Sequence, residues 1–101
     1  MMRQEDFLCI RSDGNYNEVF YVEGHALVRK LIRTTLAKVE NQLEIYGSIR
    51  RCHRSYLINL DKVVEIQGNA RNYSLFIEGL DFLIPISRTY QKEILSLIRK
   101  K

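Results

Sequence analysis

Arg50, Arg51, His53 and Arg54 fall within five consecutive positions of SIRRCHRSYLIN (residues 48–59), directly ahead of a run of strand-forming apolar residues. A guanidinium presents a planar fork of donors that fits phosphate and carboxylate oxygens, so this cluster points to anion recognition. Catalysis finds less support. His25 and His53 stand in separate segments, no carboxylate–histidine spacing recurs, and no GxGxxG, GxSxG or HExxH run is present. Cys9 and Cys52 form no CxxC pair, which suggests neither a zinc site nor a disulfide framework; the expectation is two reduced, packed thiols. The residues therefore predict no enzyme, no metal and no cofactor.

The elements that must position this cluster follow from periodicity. FLCI (7–10) reads as a buried strand entering the loop RSDGNYN, and NEVFYV, EGH and ALVRKL read as strand, tight turn and strand. From Thr34 the period changes. Leu36, Val39 and Leu43 fall on one face of a helix that Thr34 or Thr35 caps and Gly47 stops. SYLINL and VVEIQ read as strands, QGNARN as a loop, and YSLFIEGLDFLIPI as a second hairpin about Glu78-Gly79, with Pro85 at an edge or strand end. SRTYQKEILSLIRK returns to helical spacing, with Ser87 as N-cap and Tyr90, Ile94, Leu97 and Ile98 on one face. Strands in runs with helices attached imply a mainly β domain of small antiparallel sheets and two α-helices. The basic cluster then lies in a loop or at a strand entrance, where a rigid scaffold tends to present contact residues.

Composition agrees with one domain over residues 1–101: 46% apolar residues supply a core and 28% charged residues keep it in water. No apolar run approaches the roughly 18–20 residues that span a bilayer, so a cytoplasmic, non-membrane protein is expected. The net charge of +4 is unevenly spread: residues 29–54 carry +5 and residues 86–101 carry +4, separated by acidic segments. If the fold joins the two basic segments they form one positive face suited to a phosphate backbone; the plain alternative is a solvated surface.

The residue order of RRCHRSYLINLDKVVEI goes further. It resembles the signature of LytTR domains, the DNA-binding output module of bacterial LytR/AgrA-type transcriptional regulators. The resemblance is carried by His53, Arg54, Ser55, Tyr56, Leu57, Ile58 and Asn59, then Val63, Val64 and Ile66. SDGNY (12–16) is similar to the loop after that family's first signature strand, and ISRTY (86–90) to the start of its last helix. The resemblance implies a LytTR-like β sandwich whose loops, not a recognition helix, enter successive major grooves of double-stranded DNA. It also implies that the family's first one or two strands are lacking here, so that a second copy could cover an open sheet edge, and that a receiver or sensor domain lies outside this chain.

Carried over by position, the resemblance makes Asn17, Arg54 and Arg88 the base contacts. Asn pairs with adenine and Arg with guanine, each bidentate pair discriminating by about 1–3 kcal/mol. Asn17 departs from family members that carry His there. Asn15, Tyr16, Arg50, Arg51, His53, Ser55, Lys38 and Lys92 are assigned to the DNA backbone or to organising the loops. Arg88 in the first turn of a helix opposes the helix dipole, which suggests an external anionic partner. Structural readings stand beside these: Asn17 as a strand start, Arg54 in an internal ion pair, Tyr16, Tyr56 and Tyr90 in the core. Two rival functions remain, a protein-interaction module and a single-stranded nucleic-acid binder using Phe20, Tyr21 and Tyr73 as stacking platforms. A homodimer, on DNA or through edge strands, is also expected.

Overall fold

The computed structural model describes residues 3–99. A 3-10 turn at Gln4–Asp6 leads into β1 (Phe7–Asp13), β2 (Tyr16–Glu23) and β3 (Ala26–Ile32), then α1 (Leu36–Leu43), β4 (Ile49–His53), β5 (Tyr56–Asn59), a second 3-10 turn (Leu60–Lys62), β6 (Val63–Asn69), β7 (Asn72–Ile77), β8 (Ile84–Pro85) and α2 (Arg88–Arg99). One antiparallel sheet has the order β3-β2-β1-β5-β4 and the other β6-β7-β8. The mainly β architecture with two helices is the one the periodicity predicts.

Both faces of the larger sheet are covered. On one face, Leu8, Cys9, Phe20, Cys52 and Ile58 pack with Leu75, Ile77 and Ile84 of the smaller sheet and with Ile94 and Leu95 of α2. On the other, Phe7, Ile10, Val19, Tyr21 and Leu57 pack with Leu36 and Val39 of α1. A register shift between Phe7 and Cys9 sends Leu8 and Cys9 to one core and Phe7 and Ile10 to the other. Cys9 and Cys52 are both fully buried, and loss of hydration pushes the Cys52 thiol up to about 12 and the Cys9 thiol higher still, the latter also through Cys52 itself.

Several boundaries differ from the sequence expectation. Residues 11–17 are not an open loop, because β1 runs to Asp13 and β2 begins at Tyr16, leaving a two-residue turn in which Gly14 takes φ 63°. QGNARN is likewise a hairpin: β6 and β7 pair through Asn69 and Asn72, and Gly68 admits this because a Cβ there would stand 2.0 Å from the Asn72 carbonyl oxygen. Arg50, Arg51 and His53 lie within β4, rather than in a loop or at the entrance of the strand that starts near Tyr56. Thr35 caps α1, its Oγ1 accepting from Lys38 N, but the helix ends at Leu43, before Gly47. β1 sits in the middle of its sheet, so the open edges fall on β3 and β4 instead.

One buried carboxylate ties β1, β2 and β3. Glu18, 6% exposed, accepts from Arg11 Nε at 3.1 Å and Nη2 at 3.2 Å and from Arg29 Nη1 at 2.8 Å. Arg11 in turn lies over the Phe82 ring, its Cζ 4.5 Å from the centroid. The Arg11 hydrogen bonds hold the Glu18 carboxyl below its usual range despite burial, with Arg29 adding to the effect. A lowered native pKa means that this stabilisation is complete above the unfolded value of about 4.3 and is lost as pH falls through the native value. Thermal melts followed by circular dichroism should therefore show Glu18→Gln less stable than the parent at pH 7, by about 1–2 kcal/mol. The difference should shrink as the pH drops below about 4.

Candidate nucleic-acid interface

Hydrogen bonds between distant segments draw four loops to one end of the larger sheet. The β4–β5 turn is the hub. Its Ser55 carbonyl accepts from Ser12 N at 2.8 Å, which fastens it to the end of β1 beside the Gly14–Asn15 turn. The β4–β5 register shifts between Arg51 and His53, and the carbonyl of the intervening Cys52 accepts from Ser87 N at 3.0 Å, one residue before α2 begins. Gln91 Nε2 of α2 reaches the Ala70 carbonyl at 3.4 Å, bringing in the β6–β7 turn. Across the sheet Ser12 pairs with Asn17 and Asn17 with Ile32, so the β3–α1 junction ends at the same level.

Within the hub, side chains fix the backbone. Ser55 N donates to His53 Nδ1 at 3.1 Å, which requires that nitrogen to carry no proton, and the His53 ring meets Tyr56 edge to face at 5.6 Å. Arg51 donates to Glu40 Oε1 of α1 at 3.0 Å and, through Nη1, to the Arg54 carbonyl at 3.1 Å. His53, Ser55 and Arg51 thus hold the turn that carries Arg54.

The expected base contacts separate into two kinds. Arg54 and Arg88 are exposed and make no ion pair among the described residues, so both guanidinium groups face solvent at the shared end. Asn17 requires correction. It is 1% exposed in β2, its Nδ2 donates to the Thr34 carbonyl, and its Oδ1 is buried without a partner. Tyr16 occupies the outward position beside it at 45% exposure, which also corrects its placement in the core. Asn15 is exposed in the turn, and Lys38 and Lys92 are exposed in the opening turns of α1 and α2. Arg50 does not join the group: it sits at the far end of β4, its Nε bonded to the Gly47 carbonyl at 3.1 Å. Arg51, expected on the DNA backbone, is committed to Glu40 and the turn.

Two exposed cations at this end escaped the sequence argument, Arg33 and Arg71. Arg33 follows β3, with its Cζ 5.6 Å from the Tyr16 ring centroid, and Arg71 forms the tip of the β6–β7 hairpin. Their signal was a lone arginine at an element junction, weaker than a cluster. The proposed stacking platforms are not available as such: Phe20 and Tyr21 are buried and Tyr73 is half-buried. A groove of about 660 Å³ runs under α1 and reaches Gly24, at the opposite end of β2 from Tyr16. The basic end is a set of projecting turns, a shape suited to entering a groove rather than enclosing a small ligand.

Known proteins resemble this chain in sequence and in fold. The family model of the LytTr DNA-binding domain matches residues 2–99, and the chain belongs to that family. It is 32% identical over 90 residues to the transcriptional regulatory protein YpdB of Escherichia coli K12, covering 81% of this chain and 37% of that protein. It is 33% identical over 95 residues to the sensory transduction protein LytT of Bacillus anthracis, covering 84% of this chain and 37% of that one. The fold matches the LytTr DNA-binding domain of a Bacillus cereus methyl-accepting/DNA response regulator with a TM-score of 0.77 at 19% identity, over 93% of this chain and 82% of that chain. The chain thus spans little more than a third of the length of these curated relatives.

If Arg51 braces the turn, its replacement should loosen residues 53–56 without unfolding the domain. Arg51→Met is expected to raise amide hydrogen exchange there about tenfold, equivalent to ~1.4 kcal/mol of local stability, with the β6–β7 amides unchanged.

Proposed function

We propose that this chain is the output domain of a bacterial transcriptional regulator, acting in the cytoplasm, and that it binds duplex DNA sequence-specifically by inserting its β1–β2 and β4–β5 turns and the start of α2 into the major groove. Arg54 and Arg88 read base edges, with guanine O6 and N7 as their natural partners. Lys38, Lys92 and the turn residues Asn15 and Tyr16 lie against the sugar–phosphate backbone, adding affinity without sequence information. The observation that carries this reading is the Ser87–Cys52 backbone hydrogen bond, which brings Arg88 beside the turn bearing Arg54 while neither guanidinium has an ion-pair partner among the described residues.

The relatives' greater length and their names support a separate signal-receiving domain that controls this one. Two copies would occupy adjacent half-sites. Arg29 and Lys30 on edge strand β3 set charge against direct edge pairing, which favours DNA-directed assembly.

Selection of bound sequences from a random duplex library at fixed salt tests the proposal. A short motif repeated about one helical turn apart is expected. On the selected duplex, Arg54→Ala and Arg88→Ala should each weaken binding about 10- to 100-fold while changing affinity for random duplex far less. Unchanged specific binding in both variants would contradict loop readout, and a preference for single strands would favour the rival function.

A further inference from the structure

The β3–α1 junction is pinned from three sides although no core residue of the sequence signature lies in it. Asn17 donates from inside the sheet to the Thr34 carbonyl, Thr35 caps α1 by accepting from Lys38 N, and Arg33 lies over Tyr16. Asn17 does this while leaving its own Oδ1 buried and unpartnered, an arrangement that persists only where the surroundings impose it. The result is an exposed guanidinium, stacked on a half-exposed ring and without a carboxylate partner among the described residues. Stacking fixes the direction of a side chain that would otherwise lose much rotamer entropy on binding.

Its position selects its partner. β3 is separated from β5 by β2 and β1. Three strand spacings of about 4.8 Å come to roughly 14 Å, more than the approximately 12 Å width of the major groove. An arginine at the end of β3 therefore falls beyond the groove that the β4–β5 turn enters, over the phosphates of its wall.

We propose that Arg33, stacked on Tyr16 and seated by Asn17, is a preformed contact to a backbone phosphate on the wall of the groove that Arg54 enters. This rests on the duplex-binding reading above. Asn17 is then a positioning residue for the interface, in place of the base contact expected of it.

The test compares the full chain with Arg33→Ala, Arg33→Lys and Arg54→Ala on the selected duplex and on a random duplex. Arg33→Ala should weaken both duplexes by the same factor and reduce the slope of log affinity against log salt by about 0.9, so that its defect narrows about 3.5-fold between roughly 50 and 200 mM salt. Arg33→Lys should restore the slope, which a merely structural role for Arg33 would not produce. Neutral methylphosphonate substitutions, scanned along the selected duplex, should reveal one phosphate whose neutralisation weakens the parent chain but not Arg33→Ala. If Arg33→Ala binds like the parent while Arg54→Ala loses specificity, this inference fails and duplex readout stands. If the parent chain binds no duplex, both fail.

Discussion

The arrangement depends on two backbone hydrogen bonds, Ser12 N to the Ser55 carbonyl and Ser87 N to the Cys52 carbonyl. The first extends the β1–β5 pairing one residue past β5, the second lies outside the ladders, and each joins segments far apart in the chain. Together they make the β4–β5 turn a fixed point between the β1–β2 hairpin and the start of α2. The displaced register between Arg51 and His53 is what makes the second bond available, because it takes the Cys52 carbonyl out of the pairing with β5. The Cys52 side chain is locked as well: it is fully buried, and its Sγ donates to the Pro85 carbonyl at 3.7 Å. A change in packing beneath this turn would therefore move Arg54 and Arg88 relative to each other.

Charge is divided between holding the scaffold and facing outward. Arg11 and Arg29 neutralise the buried Glu18, and Arg51 pairs with Glu40. Arg33, Arg54, Arg71 and Arg88 have no such partner among the described residues and gather at one end. The net charge of +4 conceals this division. Nearby carboxylates decide which guanidinium groups remain available to an outside anion, and that follows from the strand register, as with Arg11 opposite Glu18.

The same register explains what the sequence could and could not reveal. The helical stripes of α1 and α2, and the hairpin at Gly24, were legible because local periodicity and one glycine specify them. The family resemblance singled out Arg54 and Arg88, and both are exposed in the structure. Asn17 was misassigned because β2 is buried on both faces: residues 17–21 are all buried, so no alternation shows which neighbour points out. The inward place fell to Asn17 and the outward one to Tyr16. Arg50 and Arg51 were read as residues of a loop or a strand entrance because their charge masked a strand, a common disguise at a sheet edge. Arg33 and Arg71 become visible only once pairing and hydrogen bonds bring five junctions to one end.

Amide chemical-shift mapping of the domain titrated with its selected duplex tests the central claim most directly. The account predicts shifts concentrated in residues 13–16, 33–35, 53–55, 70–71 and 87–89, which the hydrogen bonds and registers place at one end. Shifts centred instead on Gly24 and the groove beneath α1, with residues 53–55 and 87–89 unmoved, would contradict it.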